Sequence, residues 1–105
     1  MAKPTARKTD EHEGICDHRA VCCPHNVFGI IEEGSPDVFA NGLPVARLGD
    51  KVIHNCPHCG IGEVASASGT VFANGLGVAR IGDKVVYPGG SGIIVAGSPN
   101  VNTGD

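Results

Sequence analysis

Tryptophan is absent, tyrosine occurs once, and three phenylalanines complete the aromatics. A 105-residue chain with so few large side chains cannot rest on aromatic burial, and at this length the core of its one expected domain, residues 1–105, is thin. Long apolar runs are missing too. Nothing approaches the roughly eighteen apolar residues that suggest a membrane helix, and the opening MAKPTARKTDEHEG lacks the apolar segment of an export signal. The expectation is a chain made in the cytoplasm that spans no membrane. Lys and Arg number 8 against 11 Asp and Glu, for a net charge of −3, and no basic run supplies the footprint that nucleic acid requires. No window repeats apolar residues at helical spacing, which leaves an all-β chain. No Ser-His-Asp set, carboxylate pair or phosphate loop appears, so no enzyme is expected.

What is present is a repeat. Residues 34–53, GSPDVFANGLPVARLGDKVI, recur as residues 67–86, ASGTVFANGLGVARIGDKVV, with 14 identities in 20 positions. Two half copies frame the pair: Pro4, Ala6, Arg7 and Asp10 keep the spacing of Pro44, Ala46, Arg47 and Asp50, and Gly97, Ser98, Pro99 and Val101 keep that of Gly34, Ser35, Pro36 and Val38. Three copies packed alike give pseudo-threefold symmetry, with connecting segments 11–33, 51–66 and 84–96 as three equivalent loops.

Each copy reads as a short hairpin, with Val38 to Ala40 and Val71 to Ala73 leading into Asn41-Gly42 and Asn74-Gly75, the type I′ turn signal. Pro44 belongs at an edge or strand start, and Gly49-Asp50 and Gly82-Asp83 turn the chain onward. Strands this short are not expected to close an ordinary barrel; stacking about an axis is expected to bury Val38, Phe39, Val71, Phe72 and Val101 together. Arg7, Arg47 and Arg80, each three residues before Asp10, Asp50 and Asp83, recur once per copy without a nucleophile. They read as structural ion pairs.

Five cysteines, an odd number, lie between Cys16 and Cys59 with histidines among them, which argues for metal ligation over a disulfide framework. The first connecting segment holds His12, Cys16, His18, Cys22, Cys23 and His25, the second His54, Cys56, His58 and Cys59, and the third none. The thirty-three-residue period superposes Cys23-Pro24-His25 on Cys56-Pro57-His58, and His54 on Tyr87. Thiolate and imidazole are the donors zinc prefers. In an extended segment His54 and His58 stand roughly 13 Å apart, so one ion can take both only where the chain folds back, which Pro57 and Gly60 permit. His12, Cys16 and His18 read as exposed loop residues or as a second site, and replacing His12 is expected to cost little stability. Cys22 reads as a buried structural thiol.

On these residues the chain resembles the PAAR-repeat family, the tips of the central spikes of type VI secretion systems, contractile phage tails and related machines. The naming motif stands as Pro44-Val45-Ala46-Arg47, Pro4-Thr5-Ala6-Arg7 and Gly77-Val78-Ala79-Arg80, and the companion GSxxVxxNG pattern at 34–42 and 68–75. The resemblance implies a monomeric cone of short β-hairpins. One chain would cap a trimeric β-helical, VgrG-like spike through its base, sharpen it for puncture of the target envelope, and touch the target membrane transiently. It also implies a zinc near the tip, with iron as second choice, held by three histidines and a cysteine; by position these are His25, His54 and His58. The family's cysteine position is Tyr87 here, so the fourth ligand falls to Cys59, Cys56 or Cys23, in that order. The rival readings are an intracellular zinc-binding interaction module and a metal hydrolase. The first lacks a second CxxC knuckle beside Cys56–Cys59, the second a concave pocket with a general base, and neither explains the repeat.

Overall fold

A computed structural model describes residues 2–16, 25–55 and 61–104; of His25 only the backbone is described. The strands are β1 (Lys3–Pro4), β2 (Glu11–Cys16), β3 (His25–Ile31), β4 (Phe39–Ala40), β5 (Leu43–Pro44), β6 (Lys51–His54), β7 (Gly62–Val64), β8 (Phe72–Ala73), β9 (Leu76–Gly77), β10 (Lys84–Tyr87), β11 (Gly90–Ile94) and β12 (Asn102–Thr103). The chain is all-β, and no helix occurs among the described residues.

The motif segments build a ring. The Ala6 amide donates to the Ala79 carbonyl, Ala46 to Ala6 and Ala79 to Ala46, each at 2.9 Å, closing a triangle of backbone hydrogen bonds about the pseudo-threefold axis. All three alanines are 0% exposed. Three backbones so close to one axis leave room for a methyl group and little more, which is why the central motif residue is alanine in every copy. Three two-stranded ledges flank the ring: β4–β5, β8–β9 and β1–β12. The first two turn at Asn41-Gly42 and Asn74-Gly75 with positive φ at both residues, as the sequence predicts.

Each Arg is locked to its Asp. Both Asp10 oxygens accept from the Arg7 guanidinium, at 2.9 and 3.0 Å, and Oδ2 also accepts the Arg7 amide. Arg47–Asp50 and Arg80–Asp83 repeat this geometry. These fork-shaped, largely buried pairs set the turn into the next segment and make the ion pairs structural, as expected.

The connecting segments differ from the sequence expectation. Their described residues carry the longest strands, and β10, β11, β2, β3, β6 and β7 pair antiparallel in that order around a closed barrel. Closure needs no long strand from the repeat, because three hairpins, β2–β3, β6–β7 and β10–β11, each contribute two staves. Their inward side chains stack in layers: Val52, Val64, Val85, Ile31 and Ile94 are at most 1% exposed, and such burial contributes about 1.5–3 kcal/mol per side chain. The core therefore lies in the barrel. The residues expected to form it are outside: Val38, Phe39, Val71, Phe72 and Val101 are 40, 55, 39, 59 and 38% exposed. They sit on the ledges, and the crowded alanine axis turns larger side chains away.

Candidate functional site

Two ends of an elongated body, 41 Å long and 26 by 23 Å across, carry the features of interest. At the ledge end, Ser35, Ser68 and Ser98 are buried, and each hydroxyl accepts the backbone N–H three residues on, at Val38, Val71 and Val101. A serine followed by a turn is the reason for the recurring Gly-Ser pair. The turn presents Val38, Val71 and Val101 to nearly equal exposure. Neighbouring copies are stitched by asparagine: Asn74 Nδ2 donates to Asp37 at 2.8 Å, while Ser35 Oγ and Arg47 Nη1 donate to Asn74 Oδ1 at 2.6 and 3.2 Å. Hydrogen bonds from Asn74 and Ser35 hold the Asp37 carboxyl below its ordinary range. Asn41 makes the corresponding contacts with Ser98, Asn100 and Arg7. The third junction has Gly104 at the asparagine position, and Arg80 reaches its carbonyl at 3.3 Å instead.

At the other end, register places Tyr87 opposite Gly90, Gly90 opposite Cys16, and Cys16 opposite the His25 backbone. The positions four residues after each motif Asp are Gly14, His54 and Tyr87; two residues after it they are His12, Val52 and Val85. His12 therefore points into the barrel where its counterparts are valines, and it is 0% exposed. Gly14 lacks a side chain where a Cβ would lie 2.3 Å from the Ser91 carbonyl oxygen, so the neighbouring strand passes close to it. A side chain is also missing at Gly29, paired with both His12 and His54, where a Cβ would lie 1.8 Å from the Ile53 carbonyl oxygen.

The His12 ring is fixed at both nitrogens. Nε2 lies 2.7 Å from the Ile53 carbonyl, which only accepts, so Nε2 carries the proton and donates. Nδ1 then accepts from the Tyr87 hydroxyl at 2.8 Å. Tyr87 in turn meets His54 edge-on, ring centroids 4.8 Å apart, and His54 Nε2 is buried. Burial pushes His12 below its ordinary pKa, opposed by the hydrogen bond to Ile53 and assisted by nearby His54. Burial pushes the Tyr87 phenol up to about 12, so it stays neutral.

The sequence-derived ligands divide accordingly. His54 stands at the barrel end with a buried ring nitrogen; the His25 side chain, His58 and Cys59 lie outside the described residues, as do Cys56, Cys23, Cys22 and His18. Among the described residues no group of three His, Cys, Asp or Glu is placed to hold a metal. Two readings are corrected. His12 is a buried core residue hydrogen-bonded at both ring nitrogens, not an exposed loop histidine. Cys16 is in a disulfide whose partner lies outside the described residues, so it is not an available thiolate for a second site, and the cysteines are not reserved for metal. The donor chemistry suits His54 as a zinc ligand and removes neutral Tyr87 and oxidised Cys16 from the set. The sequence reading names His12 as a loop or second-site residue and Tyr87 as the replaced cysteine position but misses their contact; aligning the segments after each motif Asp, which sets His12 against Val52 and Val85, was the available signal for its burial.

The profile of the family described as PAAR motif matches residues 1–59 and again residues 55–105, spanning the chain. No curated protein matches it.

Proposed function

Since this chain belongs to the PAAR-motif family, whose members associate with spike proteins at the tip of contractile secretion or tail machines, we propose that it caps a trimeric β-helical spike through its ledge end, one chain per trimer, and sharpens that spike for puncture of the target envelope. One observation carries the docking: Val38, Val71 and Val101, from three copies in one chain, are 40, 39 and 38% exposed and are presented by the same serine turn. A monomer with three equivalent apolar corners meets three subunits at once, whereas three copies of it would compete for one axis. The opposite end holds one structural zinc, iron being the second choice, through His25, His54, His58 and Cys59. The role is structural, not catalytic, and contact with the target membrane is transient.

Native mass spectrometry of the chain purified with a trimeric spike tests both parts. The expected species contains three spike subunits, one copy of this chain and one zinc. Three copies per trimer would overturn the docking mode, and a chain mass without metal would overturn the zinc.

A further inference from the structure

The buried polar set inside the barrel belongs neither to the docking corners nor to the zinc ligands. His12 donates to the Ile53 carbonyl and accepts from Tyr87, and Tyr87 packs edge-on against His54. His12 therefore touches the backbone residue just before His54 and the ring that abuts His54. The arrangement is specific to the first and third segments, because Val52 and Val85, the counterparts of His12, have no polar atom to offer.

We propose that His12 and Tyr87 are positioning residues that brace His54, fixing the direction in which its imidazole meets a metal at the barrel end. The physical reason is entropic and geometric. A histidine side chain rotates about two torsions, and both must be set before its imidazole can ligate. Tyr87 takes up one side of the ring, and the His12 hydrogen bond stops the Tyr87 ring from rotating away; the second His12 hydrogen bond pins the peptide carrying His54. Supporting contacts of this kind typically change metal affinity by about 10–100-fold. The inference rests on the reading of His54 as a zinc ligand.

The test uses the full chain with Zn2+ and Co2+ as probes. Tyr87→Phe keeps the ring and removes the hydroxyl; His12→Leu removes both hydrogen bonds; His12→Gln retains an amide able to donate to Ile53 and accept from Tyr87. Chelator competition is expected to show Tyr87→Phe and His12→Leu each weakening Zn2+ binding about tenfold. The double variant should be no weaker than the poorer single one, because both act through one chain of contacts, and His12→Gln should stay close to the unsubstituted protein. Visible spectra of the Co2+ form should shift in the two weakened variants, a change that loss of stability alone does not produce, and metal-free melting curves separate affinity from folding. Unchanged affinity and Co2+ spectra in Tyr87→Phe and His12→Leu overturn the brace. If the unsubstituted chain binds no Zn2+, the metal reading fails by itself, and the histidine ring NMR spectrum of the metal-free chain decides the brace. One sharp His54 set that broadens in Tyr87→Phe supports it, and a set indifferent to Tyr87→Phe overturns it.

Discussion

Around Ala6, Ala46 and Ala79 the ring bonds and the Arg–Asp locks occur in triplicate, whereas two layers along the same axis the equivalent positions hold Gly14, His54 and Tyr87. The ledge half is symmetric because its own closure is the same task performed three times. The barrel half has been released from that constraint. Its backbone keeps the threefold hairpin plan, but among the described residues the interior near the far end holds one histidine–tyrosine–histidine set without a symmetric counterpart. Symmetry in this molecule is therefore carried by the backbone ring, the Arg–Asp locks and the serine turns, and individuality by side chains inside the barrel.

The largest expected effect falls where the asymmetric half depends on a missing side chain. Gly29→Ala would drive a Cβ to 1.8 Å from the Ile53 carbonyl, and a cost of about 4 kcal/mol or more is expected, read as a melting point lowered by some twenty degrees or as loss of folding. Gly42→Ala, at φ +78° with open space around the added methyl, should cost only about 1 kcal/mol. Equal losses at the two glycines would refute the close approach at Gly29.

The symmetric half is probed next. Asp10→Asn, Asp50→Asn and Asp83→Asn each remove the carboxylate from a largely buried guanidinium, and losses of about 3 kcal/mol are expected. The three values should agree closely in chemical denaturation. A much cheaper substitution at one copy would mean the geometric symmetry is not an energetic one.

Acid separates the halves by a different route. His12 is held neutral by burial, so its folded-state pKa lies below the unfolded value of about 6.5. The unfolded chain then binds a proton that the folded one refuses, and stability is complete above that value and falls as the pH drops below it. Metal-free protein in chelator should show this slope, and His12→Gln should lack it. An unchanged slope in His12→Gln would assign the acid sensitivity to another group.

The smallest effect is a gain. Thr9 holds φ +78° where its counterparts are Gly49 and Gly82, both at +89°. A β-branched residue is strained there, so Thr9→Gly should raise stability by about 1 kcal/mol, seen as a melting point a few degrees higher.

The repeat makes the ledge half legible in the order of residues: the Asn-Gly turns, the Arg–Asp locks and the threefold plan all follow from local chemistry recurring at fixed spacing. The same reasoning misplaces the core, because Val38, Phe39, Val71 and Phe72 look like buried strand residues, and nothing local reveals that the alanine ring leaves them no axis to fill. His12 escapes notice for a related reason. It is buried among residues distant in sequence, and its hydrogen-bond partners lie 41 and 75 residues away.

Fold class, threefold repeat and family membership are all carried by the residues in their linear order, since turn residues, ion-pair spacing and period are local properties that recurrence makes unambiguous. Three further outcomes arise only in the folded chain: the connecting segments close a barrel, the apolar ledge residues face outward, and His12 and Tyr87 stand against His54. They depend on which side chains compete for the same interior volume, and that competition exists only once the three hairpins have been brought around one axis.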